Sequence, residues 1–226
     1  MALANPGPQQ VKSGYYAIDL KADRTVVFTS PSVNGYNTSL YVYHDLGKSP
    51  EAYGPYSKLE YIPTLSDQYY LNVSANSERT MTSADGSDFA NAYPLGIEDR
   101  AVHKSSYSIP ANAYAYYKVS LQAGEAIGLK TLSPVGIAVL SSDQAVLAES
   151  ASKSIMFQAE SAGTYYVRIQ QGGETGKVTV WSALGYLNPG PQQVKSGYYA
   201  IDLKADRTVV FTSPSVNGYN TSLYVY

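Results

Sequence analysis

Two histidines, His44 and His103, are the side chains of this 226-residue chain best suited to proton transfer near neutral pH. Each lies in a polar segment, and with no cysteine in the chain there is no set for a metal site or a catalytic dyad. They read as exposed loop residues. Gly172-Gly173-Glu174-Thr175-Gly176-Lys177-Val178 has the look of a phosphate loop. However, Gln171 stands where the first glycine is needed, and Val178 stands where Ser or Thr must hold magnesium. It reads as a hairpin turn between two strands. Ser150-Ala151-Ser152-Lys153 fits the Ser-x-x-Lys pattern of penicillin-binding enzymes but lacks a helix start and companion motifs. No Gly-x-Ser-x-Gly elbow occurs, so no catalytic residue is assigned and the chain is expected not to be an enzyme.

Asp85, Asp88 and Asp99 are the candidate metal ligands. With Ser87 and Glu98 they place hard oxygen donors in turn-rich backbone, which suits calcium. No EF-hand spacing supports the site, and solvated loop carboxylates are the plainer account; no other cofactor is expected. The 23 tyrosines fall into two groups. Those paired as Tyr-Tyr within strands send one ring to the core and one to the outer face, a packing role. Tyr53, Tyr56 and Tyr61 cluster in and just after the loop Ser49-Pro50-Glu51-Ala52-Tyr53-Gly54-Pro55-Tyr56. Tyrosine offers a large, fairly rigid contact area with a polar tip, so these three are the candidate ligand-binding residues, for a glycan or a matrix protein. The triplets Asn37-Thr38-Ser39 and Asn72-Val73-Ser74 are glycosylation sequons, relevant in a glycosylating host.

The elements that would position these residues are organised by repetition. Residues 5–43 return unchanged at 188–226, an offset of 183 with all 39 positions identical. Because ancient duplications diverge, this copy is either very recent or placed by an engineer. A fainter repeat relates Tyr15-Tyr16-Ala17-Ile18-Asp19-Leu20 to Tyr116-Tyr117-Lys118-Val119-Ser120-Leu121. It also relates Gln68-Tyr69-Tyr70-Leu71-Asn72-Val73 to Thr164-Tyr165-Tyr166-Val167-Arg168-Ile169. The predicted organisation is module one at 5–83, a linker or long loop at 84–105, module two at 106–184, and at 188–226 the copy of 5–43, a partial module one.

Within the modules the hydrophobic period is two: Tyr16, Ile18 and Leu20; Val26 and Phe28; Leu40 and Val42; Tyr117, Val119 and Leu121; Ile137 and Val139; Tyr165, Val167 and Ile169. Turn signals such as Pro31-Ser32-Val33-Asn34-Gly35 and Ser161-Ala162-Gly163 separate them. The predicted fold is all-β: two tandem jelly-roll-like antiparallel β-sandwiches plus a truncated third copy. An aromatic strand ahead of Gln122-Ala123-Gly124, then Val135-Gly136-Ile137-Ala138-Val139-Leu140, then Phe157 through Ile169 with Ala162-Gly163-Thr164-Tyr165-Tyr166, resembles the bacterial pre-peptidase C-terminal (PPC) domain. The resemblance covers roughly 110–184. Module one departs from the pattern, with Ala22-Asp23 for Ala-Gly and Leu65-Ser66-Asp67-Gln68 before Tyr69. The resemblance implies a small sandwich attached to secreted or surface proteins, accessory rather than catalytic, in some members calcium-stabilised or ligand-binding.

A net charge of −2 gives no basic footprint, so nucleic acid is not an expected partner. No apolar run reaches the length of a membrane span. The expected partners are other copies of the chain. The leading expectation is a non-enzymatic structural repeat of a secreted or cell-surface, fibre-like protein. It would self-assemble head-to-tail by strand exchange through the duplicated segment. Beside it stand a ligand-binding accessory module of a secreted hydrolase and an engineered segment duplication.

Overall fold

A computed structural model describes residues 8–96, 103–131, 136–183, 187, 190–194, 199, 201 and 205–224. The described chain is all-β, with 17 strands in four sheets and no helix among the described residues. None of it is therefore a helix long and apolar enough to cross a membrane.

The first eight strands are β1 (Gln9–Val11), β2 (Gly14–Leu20), β3 (Val26–Thr29), β4 (Ser39–Tyr43), β5 (Ala52–Gly54), β6 (Lys58–Tyr61), β7 (Asp67–Ser74) and β8 (Arg79–Ala84). They form two antiparallel sheets in the orders β1-β8-β3-β6 and β2-β7-β4-β5. This is the order of a double-sheet jelly roll, in which a long hairpin is rolled so that its first four strands interleave with its last four. Alternation supplies the core between the sheets: Tyr16 and Leu20, Val26 and Phe28, Leu40 and Val42, and Tyr69, Leu71 and Val73 are buried in one cluster with Leu59 and Met81. Each such side chain removed from water contributes about 1.5–3 kcal/mol before entropy is charged against it.

The remaining strands are β9 (Tyr93–Pro94), β10 (His103–Ile109), β11 (Tyr114–Leu121), β12 (Ala126–Thr131), β13 (Gly136–Leu140), β14 (Val146–Ser150), β15 (Ser154–Gln158), β16 (Gly163–Gln170) and β17 (Gly176–Ala183). Their sheets run β10-β17-β12-β15 and β14-β13-β16-β11-β9. Strands β10 to β17 thus repeat the order of β1 to β8, and β9 adds a parallel edge beside β11. Strand β9 arises inside the 84–105 stretch read from sequence as a linker or long loop. Its Tyr93 is fully buried in the second core cluster, which holds it there although two residues are too few to show a period. The Gly172–Lys177 stretch and Ser150–Lys153 lie at the β16–β17 and β14–β15 turns.

Among the described residues beyond Ala183 there is no strand. Residues 205–224 carry turns and one isolated bridge, Val216 to Tyr219.

Candidate functional site

Module one is divided by its own topology into two complementary halves. The pairings β1–β8, β8–β3, β3–β6, β2–β7, β7–β4 and β4–β5 each join a strand of residues 9–43 to a strand of residues 52–84. Among the described residues no sheet pairing lies within either half. Side chains follow the same seam: buried Arg79 of β8 donates from Nε to the Thr38 hydroxyl at 3.2 Å, and the Ser13 hydroxyl accepts from the Ala75 N–H at 2.9 Å. Residues 9–43 therefore supply half the strands of a sandwich, each paired with strands of residues 52–84.

The copy at 188–226 has the same sequence as that half, and among its described residues there is no strand. Leu40 is 0% exposed and its counterpart Leu223 is 54% exposed; Val27 is 2% exposed and Val210 is 76% exposed. Val209 is exposed too, where its counterpart Val26 is buried. Open apolar strand sequences of this kind are templates for pairing with another chain.

A second feature lies on the solvent face of the β2-β7-β4-β5 sheet. Register aligns Tyr15, Asn72, Tyr41 and Tyr53 in one row and Ala17, Tyr70 and Tyr43 in the next. Tyr41 and Tyr53 stack at 4.7 Å between ring centroids, and Tyr15 and Tyr43 approach at 5.8 Å. Partial desolvation, then the neighbouring Tyr15, push the Tyr43 phenol above its ordinary value. The two rows hold no charged side chain, so the face presents ring edges and hydroxyl tips. In the second module the rings corresponding to Tyr15 and Tyr70 are capped: Phe89 packs on Tyr116 at 5.0 Å and on Tyr166 at 4.4 Å, and beside them the Arg168 guanidinium lies 5.2 Å over Tyr114.

Of the three tyrosines singled out from sequence, the structure places Tyr53 in this face on β5. Tyr56 sits at the β5–β6 turn, 78% exposed. Tyr61 is on β6 in the other sheet, half-buried, its hydroxyl donating to the Glu51 carboxylate and its ring edge-on to Tyr69. The three do not form one cluster, because the chain crosses between sheets at Gly54 to Lys58. Sequence reading missed Tyr41 and Tyr43 as surface residues. The signal was present in Leu40-Tyr41-Val42-Tyr43, where burial of Leu40 and Val42 turns both tyrosines outward.

The candidate calcium ligands Asp85 and Asp88 accept hydrogen bonds from their own loop. Asp85 Oδ1 accepts from the Ser87 N–H at 2.9 Å and hydroxyl at 2.6 Å, and Asp88 Oδ1 accepts from the Asn91 N–H at 2.8 Å. Asp99 lies outside the described residues. Among the described residues no group of three or more His, Asp or Glu side chains converges as a metal set. His44 Nε2 lies 3.0 Å from Asp67 Oδ2, and its ring stacks on Tyr69 at 4.6 Å. That contact holds the Asp67 carboxyl below its usual range. The side chain of His103 lies outside the described residues.

No family model matches the chain, and no curated protein matches its sequence. Among solved structures it is similar to PliG of Aeromonas hydrophila, a periplasmic lysozyme inhibitor of g-type lysozyme: 14% identity, 40% of this chain and 93% of that chain covered, TM-score 0.36. Salmonella Typhimurium PliG gives 13% identity, 41% and 96% coverage, and a TM-score of 0.33. The human MASP-1/3 CUB1-EGF-CUB2 fragment gives 9% identity, 80% and 96% coverage, and a TM-score of 0.24. At these scores none of the three assigns a family.

Proposed function

We propose that the chain is a non-enzymatic structural repeat of a secreted or cell-surface assembly. Residues 188–226 of one molecule would complete module one of another by strand exchange. The observation that carries this reading is the division of module one, in which every described sheet pairing joins residues 9–43 to residues 52–84. A second copy of the first half carries the same sequence residue for residue, and among its described residues Val209, Val210 and Leu223 are exposed. The contact is heterologous, so repetition builds a ring or an open filament. Because the two copies make equal contacts, a copy tethered in the same chain wins when chains are dilute and a donor from another chain gains as concentration rises. Crowding at a surface would therefore favour assembly.

The absence of cysteine permits a direct test in the full chain. Ser39 of β4 pairs with Ser74 of β7, so a donor in place would set Ser222 beside Ser74, at a Cα spacing within disulfide reach. Chains carrying Ser74→Cys and Ser222→Cys, refolded from urea over a concentration series, should form inter-chain disulfides in proportion to concentration, with light scattering reporting the mass. A monomer at every concentration with no bond between positions 74 and 222, while Ser39→Cys with Ser74→Cys closes within one chain, would overturn the proposal.

The tyrosine face favours a second reading, a PPC-like accessory module binding a neutral glycan or a matrix protein. Tyr41→Ala and Tyr53→Ala should then abolish retention on the polysaccharide or matrix protein that the parent chain binds. Equal retention by parent and variants would exclude it.

A further inference from the structure

The resident half of module one does more than fill its own sandwich. Between β2 and β3 it carries Arg24 and Thr25, both buried, and all three polar groups of Thr25 are spent outside module one, on Ser108 of the second module and on Tyr93 of β9. The Thr25 N–H donates to the Ser108 carbonyl at 3.1 Å, its hydroxyl accepts from the Ser108 N–H at 2.7 Å, and its carbonyl accepts from the Tyr93 hydroxyl at 2.6 Å. Arg24 Nη1 donates to two carbonyls, Asp85 at 3.2 Å and Tyr114 at 3.1 Å. Val27, two residues on, is buried in the second module's core cluster and not in that of the first. Residues 24–27 are thus the latch between the modules. A buried guanidinium met only halfway would be costly, so the site is specific for this dipeptide.

The duplicated segment carries the same latch: Arg207, Thr208 and Val210, all exposed. Given the exchange proposed above, we infer that Arg207 and Thr208 dock on the acceptor molecule at Ser108 and Tyr114 of its second module and at Asp85 and Tyr93 of the stretch that precedes it. Strand exchange then transfers the inter-module contact together with the strands. Each junction of an assembly joins three parts: the donor segment, the acceptor's residues 52–84 and the acceptor's second module. The partner surface is consequently a composite of both modules. A chain offering residues 52–84 without Ser108 and Tyr93 beside them would hold the donor less tightly.

The test uses the full chain carrying Ser74→Cys and Ser222→Cys, with the ratio of inter-chain to unlinked species read after refolding at fixed concentration. Arg207→Ala removes the latch from the donor alone and should lower the ratio about tenfold, the loss of charge-assisted bonds at a buried site. Arg24→Ala removes it from the resident and should raise the ratio by a similar factor, and the double variant should return to the parent value. Position 207 lies in an exposed segment with no described sheet partner, so Arg207→Ala leaves the resident fold intact and remains informative even if Arg24→Ala folds poorly. A disulfide that forms equally in the parent and in Arg207→Ala would overturn the latch while leaving strand exchange standing. No inter-chain disulfide in any variant would overturn both.

Discussion

Replacing Phe28 by alanine handicaps one of two segments that are identical in sequence. Phe28 is fully buried between the sheets of module one, while its counterpart Phe211 is half-exposed and outside any described sheet. Truncating a core phenylalanine costs about 3–5 kcal/mol. The cost falls wholly on the resident segment, because residues 188–226 still carry an intact phenylalanine. At about 50 µM chain against an effective concentration on the order of 5 mM for the tethered resident, about 1% of wild-type modules would be exchanged. The alanine penalty multiplies that ratio by roughly a hundredfold to several thousandfold, so donor-filled modules become the majority. Sedimentation or light scattering should therefore show Phe28→Ala shifting from monomer to assembled chains. The Phe28→Ala/Phe211→Ala chain should return to monomer with a lower unfolding midpoint, and Phe211→Ala alone should be monomeric and as stable as the parent. If Phe28→Ala is monomeric and its stability matches the double variant's, the copy does not enter module one of its own or another chain, and the exchange reasoning fails.

Gly86 sits at φ 65° in the loop before β9, and a Cβ there would overlap the Tyr93 ring. Gly86→Ala should cost about 3 kcal/mol, from overpacking and a positive φ together, seen as a lower urea midpoint with the tyrosine near-ultraviolet signal diminished. Burial, and secondarily the Glu60 carboxylate, push the Tyr107 phenol up to about 12. Its folded value exceeds the unfolded one, so the stability it confers is complete below about pH 10 and is lost as pH climbs from there toward 12; alkaline unfolding followed by phenolate absorbance should shift to higher pH in Tyr107→Phe. On the outer face, Tyr41→Ala breaks one stacked cross-strand pair and should cost no more than about 1 kcal/mol, so a loss above 2–3 kcal/mol in urea titration would mean the face is part of the core and not an open surface.

The all-β architecture was legible because alternation is a local property. The alternation of Tyr16, Ile18 and Leu20 and that of Tyr165, Val167 and Ile169 each mark one sheet face, and both segments are strands with the expected residues buried or half-buried. The tyrosine surface was legible only in part. Tyr53, Tyr56 and Tyr61 are near in sequence, yet the crossing from β5 to β6 sends them to different surroundings. Tyr15, Tyr41, Tyr43 and Tyr70 come together from strands far apart in the chain, and cross-strand register is no property of any one strand. Strand β9 had no signal to read, since two residues show no period and it is pairing with β11, with Tyr93 buried against Tyr107 and Tyr117, that makes them a strand.

The duplicated 39 residues divide what sequence alone decides from what it leaves to the tertiary structure. Turn geometry is the same in both copies. Asp23 and Asp206 have φ of 62° and 60°, Asn34 and Asn217 have 52° and 53°, and Gly35 and Gly218 both have 79°. The Val33–Tyr36 and Val216–Tyr219 bridges match, and the Ser30–Thr38 and Ser213–Thr221 hydroxyl pairs lie at 3.1 and 3.0 Å. These features need only neighbours a few residues away, so the sequence determines them wherever it occurs. Strand state differs: Val26–Thr29 is a strand and residues 209–212, of identical sequence, are not. A strand's backbone groups need a partner from elsewhere in the chain. Residues 52–84 provide one set of such partners, and the tertiary structure gives it to the first copy.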